Sequence, residues 1–311
     1  MRKTLFTAIA VVVLAVAAPS GAWHDEGHVY TALAAARALP EDVPAFLRDA
    51  GRDLAHLALD PDLHAEKVRP ALRDRERPEH FLDWEYLGEH PLPPTRHEFI
   101  KLCERLGADP LKVGYLPYAL LEGYDRLVWA LAEHRRRPDS AIVRAKCVVY
   151  AGLLAHYAAD LHMPLHTTIH FDGRVERAGA TAARLGIHTK VDALNTKLPY
   201  AVLFAQPLPE PQPVADVRSY VLEQFHQSHA LVDRVYELED RMPKLAEMAI
   251  EDAEVRDFTI ERTRAAASFI ATLWLSAWRE SATVELPFWL DRATFDGGFD
   301  ESAVPPQPAR P

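Results

Sequence analysis

Cysteine is nearly absent: Cys103 and Cys147 are the two present in 311 residues. That excludes a disulfide-dense scaffold and a thiolate-rich structural zinc site, and leaves material for one bridge whose pairing the sequence does not decide. Positive charge is also short. Lys+Arg number 35 against Asp+Glu 45, a formal net charge of -10, so the chain as a whole repels phosphate backbones and an anionic substrate needs a local cation. There is no convincing series of alternating strand residues and no period of 20–50 residues repeats, which leaves little room for a sandwich, barrel or solenoid. Hydrophobic residues at 49% and charged residues at 26% exclude collagen-like, wholly disordered and multi-span membrane chains.

The one long apolar run, Leu5 to Ala18, is too short to span a bilayer and stay there. Met1-Arg2-Lys3 precedes it as a positive n-region, and Ser20-Gly21-Ala22 places small residues at cleavage positions. Residues 1–22 therefore read as a cleavable signal peptide, with a retained N-terminal anchor as the alternative. The expectation is a secreted or periplasmic protein with no membrane span after cleavage. Losing Arg2 and Lys3 deepens the acidity of the mature chain.

The remainder reads as a single all-α domain over residues 23–298, with a proline-rich, disordered tail over 299–311. Helical spacing predicts one helix over 23–50, then loop with short helices over 60–94, where six prolines break any long helix. Helices are expected over 95–107, 117–134 and 139–162, the last central and buried. Pro207, Pro209, Pro211 and Pro213 mark a surface connection, followed by two long helices over 217–241 and 243–281.

What is abundant is histidine, with 15 copies, and histidine is the commonest metal ligand. In the stretch from Leu154 to His166, His156 and Asp160 stand four apart, so a helix brings both onto one face to grip a single ion. Pro164 ends that helix and throws His166 forward. His188 and Asp192 repeat the same spacing. Imidazole with carboxylate oxygen is the ligand mixture zinc accepts in hydrolytic sites, where a coordination position stays open.

These motifs resemble the zinc-dependent nucleases specific for single strands, of the fungal and plant secreted type, and the bacterial zinc phospholipases C. Both share an all-α fold holding three zinc ions. In that family a tryptophan becomes the first residue after signal cleavage, and its amino nitrogen and carbonyl oxygen bind zinc. Trp23 follows Ala22 directly, and a free α-amine, unlike an amide nitrogen, can be deprotonated by a metal. The next ligand is a histidine matched by His28, with His24 as the weaker match. His80, in Pro78-Glu-His80-Phe-Leu-Asp83, matches a further ligand, and the carboxylate before it is Asp62 or Asp60.

The resemblance thus implies one zinc held by Asp62, His80, His156 and Asp160, with Asp160 bridging to a second held by Trp23 and His28, and a third held by His166, His188 and Asp192. His162, His170 and Asp83 are expected to orient ligands by hydrogen bonds. Three Zn²⁺ ions outweigh the three carboxylates, which makes a positive pocket in an acidic protein, suited to a phosphodiester. Asp62 or Asp60 is also the candidate to take a proton from the attacking water.

The implied activity is hydrolysis of phosphate esters, in single-stranded nucleic acid by an endonuclease or in phospholipid headgroups by a phospholipase C. Asp192 follows the nuclease branch, where the phospholipases tend to use glutamate. The segment after His166, Thr167-Thr-Ile-His-Phe-Asp-Gly173, lacks the Asp-x-Gly-Gly-Asn signature of the secreted nucleases. Tyr86, Tyr115 and Tyr157 could stack bases, but core aromatics are commoner. A non-catalytic zinc-binding protein remains the alternative of another class, and oligomeric state is not decided.

Overall fold

The computed structural model describes residues 25–180, 185–287 and 290. The expected signal peptide, Trp23, His24 and the tail over 299–311 lie outside the described residues. Among the described residues there is no strand, and β-type pairing is limited to isolated bridges at Leu82–Gly114 and Phe171–Gly173.

The principal helices are α1 (Asp25–Ala38), α2 (Gly51–Leu57), α3 (Asp60–His64), α4 (Arg96–Leu106), α5 (Leu116–Arg136), α6 (Ala141–Leu161), α7 (Ile187–Asp192), α8 (Val217–His229), α9 (Val232–Leu238) and α10 (Ala253–Glu280). Their ends follow from local chemistry. Thr95 and Glu98 form a reciprocal capping box at the start of α4, and Gly107 closes it in the left-handed region at φ 67°. Asp252 accepts from the Glu254 and Val255 amides to start α10, and Asp216 accepts from Ser219 to start α8.

The central layer is the pair α5 and α6, with α10 packed on both; α1 packs on α10, α2 and α6, and α2 on α6. Helix α6 is long and apolar enough to cross a membrane by composition, but its apolar side is consumed by this packing. Gly152 makes the approach possible: a Cβ there would lie 2.5 Å from Leu57 Cβ on α2. Leu47, Leu54, Leu127, Leu131, Phe225, Phe269 and Trp274 are fully buried in a core shared by all these helices. The molecule is thus one compact all-α domain.

Three expected helices are shorter than their spacing implied. The first ends at Ala38 because Pro40 and Pro44 follow, and the chain restarts as Ala45–Arg48 and α2. The stretch 217–241 bends at Ala230 and Leu231 into α8, α9 and a 3₁₀ turn. Residues 243–252 are not helical: the carbonyls of Lys244, Leu245 and Glu247 converge on the Lys197 ammonium instead of closing helical bonds. Cys103 and Cys147 are both buried and free. No bridge forms, and burial pushes the Cys103 thiol up to about 11 and the Cys147 thiol up to about 12.

Candidate metal centre

Helix α6 delivers His156 and Asp160, one turn apart, into the middle of the molecule, where both are fully buried. The opening turn of α1 brings His28 over them, its ring stacked on that of His156 with centroids 3.9 Å apart. The turn Arg77–His80 brings His80, pinned by bonds from Tyr115 N to Pro78 O, from Leu116 N to Phe81 O and from Leu82 N to His166 O. Gly114 closes this clasp at φ 93°, a conformation that only glycine adopts without strain. Helix α3 contributes Asp62, whose Oδ1 lies 3.8 Å from His80 Nδ1 and 4.0 Å from His156 Nε2. Asp60, two residues earlier, belongs to none of the ligand groups.

Asp160 is the hub. Its carboxylate lies 3.1 Å from His80, 3.3 Å from His156, 3.5 Å from His28 and 3.8 Å from His166. His166 follows the helix end on the turn Pro164–Thr167. It meets His188 with stacked rings 5.0 Å apart, and His188 Nε2 lies 3.2 Å from Asp192 Oδ2. Candidate ligand atoms gather into three groups: His28, Asp62 and His156; His80, His156 and Asp160; and His166, His188 and Asp192. Every residue expected as a ligand that falls in the described region, Asp60 apart, joins one of these groups.

Two backbone carbonyls set the imidazoles. His156 Nδ1 donates to Ala58 O at 2.7 Å, and His166 Nδ1 donates to His80 O at 2.7 Å. A carbonyl can only accept, so both rings carry a proton on Nδ1 and leave Nε2 as the nitrogen a metal would take. Of the residues expected to share this task, His162 has no hydrogen-bond partner for either ring nitrogen and packs on Phe269, and His170 Nδ1 accepts from Val175 N. A carbonyl supplied by an arbitrary residue leaves no side-chain signal in a sequence. Of the candidate stacking aromatics, Tyr115 packs on Phe99 beneath Arg96, and the Tyr157 hydroxyl is bound to Glu76.

The buried polar atoms test whether a cation suits the place. Both Asp192 oxygens, Asp160 Oδ1, both His28 nitrogens, His80 Nε2 and His166 Nε2 are buried with no hydrogen-bond partner. Leaving such groups unmet costs about 1–3 kcal/mol each, so a folded protein retains them where something else satisfies them. Anionic oxygens and imidazole lone pairs together, with no thiolate, form a donor set suited to zinc. The residues fit a divalent cation.

The charges agree with that reading. Burial opposes ionisation of Asp160, yet His156 and His166 hold its carboxyl well below the usual range. Burial also opposes a charge on His156, but Asp160 and Asp62 raise it to about 9. His28 is driven well below its ordinary value by burial and by His156. At the other end burial, with His166 beside it, drops His188 to about 3, and burial with Asp160 and Asp62 raises Asp192 well above the carboxylate range. The side chains of Asp62 and His188 are 21% and 23% exposed while His28, His156 and Asp160 are sealed, so solvent reaches the centre along those two residues.

No family model, no curated protein and no solved structure matches this chain.

Proposed function

We infer that the protein is an exported zinc-dependent phosphodiesterase of the trinuclear type, similar to the single-strand nucleases and zinc phospholipases C. The observation that carries this is Asp160, one sealed carboxylate ringed by four imidazoles, beside a second sealed carboxylate, Asp192, whose oxygens have no hydrogen-bond partner and face the His188 imidazole. On this reading Asp62, His80, His156 and Asp160 hold one ion, Asp160 with His28 and Trp23 a second, and His166, His188 and Asp192 a third.

The chemistry that zinc supplies in such sites is Lewis-acid polarisation of a phosphoryl oxygen and acidification of water. The chain's own residues do the rest. The carbonyls of Ala58 and His80 fix the ring planes of His156 and His166. Asp62 both faces the cluster and reaches solvent, so its carboxylate accepts the proton of the attacking water at the mouth. The bulk of the centre excludes water, which strengthens electrostatic stabilisation of a phosphoryl group entering along Asp62 and His188.

Single-stranded nucleic acid is the substrate favoured by an aspartate, Asp192, in the third group. Phospholipid is the second reading, favoured by the exposed apolar side chains Leu63, Val68 and Leu72 on the segment that follows Asp62, since an interfacial enzyme presents such a rim to lipid. The deciding experiment is zinc content and hydrolysis of single-stranded DNA and phosphatidylcholine, for the protein beginning at Trp23 and for a form with one extra residue ahead of it. About three zinc ions falling to about two on extension, with loss of hydrolysis, is the expected result. The substrate cleaved selects the branch. Equal zinc in both forms removes Trp23 from the centre, and no zinc in either leaves a buried histidine cluster without the inferred activity.

A further inference from the structure

Beside the third ligand group, the segments that follow α6 and α7 and the first third of α10 line a small, partly open cavity of about 20 Å³. Its polar lining comes from His162, Asn195, Arg262, Thr259 and Thr263, and no carboxylate lines it. His162 and Asn195 are 2% and 3% exposed. Four of the lining atoms are buried with no hydrogen-bond partner: His162 Nδ1, His162 Nε2, Asn195 Oδ1 and Arg262 Nε. The two threonine hydroxyls are already committed, Thr259 donating to Val255 O at 2.7 Å and Thr263 to Thr259 O at 2.8 Å.

The unmet atoms define their own ligand. A neutral imidazole offers one donor and one acceptor, the guanidinium Nε–H is a donor, and the amide Oδ1 is an acceptor. The two nitrogens of one ring point in divergent directions, so a single guest meets one of them, and with Asn195 Oδ1 and Arg262 Nε it must both donate and accept. Water does both. An anion would leave Asn195 Oδ1 unmet and an ammonium the Arg262 Nε–H. A cavity needs about 10–15 Å³ to hold one water, and a buried water typically makes about three hydrogen bonds to groups otherwise unsatisfied.

We propose that His162, Asn195 and Arg262 hold one ordered water that ties the end of α6, the end of α7 and the last helix α10 to one another. His162 stands two residues past Asp160 and four before His166, and Asn195 stands three past Asp192. The water is thus a rigid link between the segments that carry separate ligand sets, and His162 is a positioning residue that acts through it. Its bearing on metal affinity rests on the zinc reading above; the water itself does not.

The test is a high-resolution crystal structure of the wild-type protein, with amide hydrogen exchange over residues 187–197 and zinc titration of His162→Phe, His162→Gln and Asn195→Leu. The expected result is one peak of water density within hydrogen-bond reach of His162, Asn195 and Arg262. His162→Phe and Asn195→Leu should raise exchange in 187–197 by about tenfold or more and weaken the loosest zinc by about tenfold. His162→Gln, which keeps a donor and an acceptor, should stay within about threefold of wild type. An empty cavity, a peak with anomalous scattering from an ion, or glutamine and phenylalanine variants that behave alike would overturn the proposal. If the wild-type protein takes up no zinc, the inferred function fails while the density and the exchange still decide the water.

Discussion

Gly152→Ala is the single change that joins the fold to the site most directly. The added Cβ would lie 2.5 Å from Leu57 Cβ and 3.2 Å from Leu54 O, where ordinary contact begins near 3.4 Å. Leu57 Cβ is fixed to its own backbone, so relief requires α2 and α6 to part by about 1 Å. Ala58 closes α2, and its carbonyl holds His156 Nδ1 at 2.7 Å; a shift of that size carries the bond out of range. Alanine favours the helix over glycine by about 1 kcal/mol, overpacking costs about 1–3 kcal/mol, and the lost bond costs about 1 kcal/mol. The balance is a loss of about 1–3 kcal/mol, read by urea unfolding of the metal-free protein. Zinc affinity should fall about 10- to 100-fold, because His156 loses the partner that aims it. Stability equal to or above wild type would refute the packing argument, and unchanged zinc affinity in a destabilised variant would refute the role given to Ala58.

Other outcomes follow from the same geometry. Asp160→Asn should remove more zinc from the purified protein than Asp192→Asn, because Asp160 stands against four imidazoles and Asp192 against one group, and equal losses would count against the shared carboxylate. Burial, with Glu85 nearby, raises the Asp83 carboxyl well above its ordinary value. The unfolded chain then loses that proton near pH ~4 while the folded one keeps it, so this group's contribution to stability is present in acid and declines as pH rises through that window. Asp83→Asn should abolish this decline, seen as a stability difference from wild type that grows with pH above about 4; a difference independent of pH would contradict it. Gly114→Ala places a Cβ 2.1 Å from Phe81 O at φ +93° and should cost about 3 kcal/mol or more in thermal or urea unfolding. The buried thiols of Cys103 and Cys147 should resist a thiol reagent in the folded protein and both react after denaturation, whereas a missing thiol signal would point to a bridge.

Two candidate ligand pairs were legible in the sequence itself, because i and i+4 spacing on a helix is a local geometric fact. His156 with Asp160 and His188 with Asp192 needed only the helix, and Pro164 marked where it stopped. The all-α class followed similarly from apolar spacing without alternation. Spacing was silent wherever a remote partner decided the backbone. Val217, Val221, Phe225, Val232 and Val235 keep a helical rhythm straight through the bend at Ala230, while His229 Nδ1 lies 3.0 Å from Thr167 O. Lys197 captures the carbonyls of 244–247, about fifty residues away, and the first turns of an expected helix become loop.

The choice between Asp60 and Asp62 belonged to the tertiary structure as well. Both sit on α3, and only the way that helix lies against α6 turns Asp62 toward His80 and His156. The orienting carbonyls of Ala58 and His80 and the water-sized cavity behind Asp192 are likewise products of packing. The residue types and their local spacing, which the chain carries in itself, therefore determined the class of fold and the donor set. Which of those donors meet, which lone pair each presents and which buried atoms go unmet depend on contacts between residues up to about a hundred positions apart, and those exist only once the helices have packed.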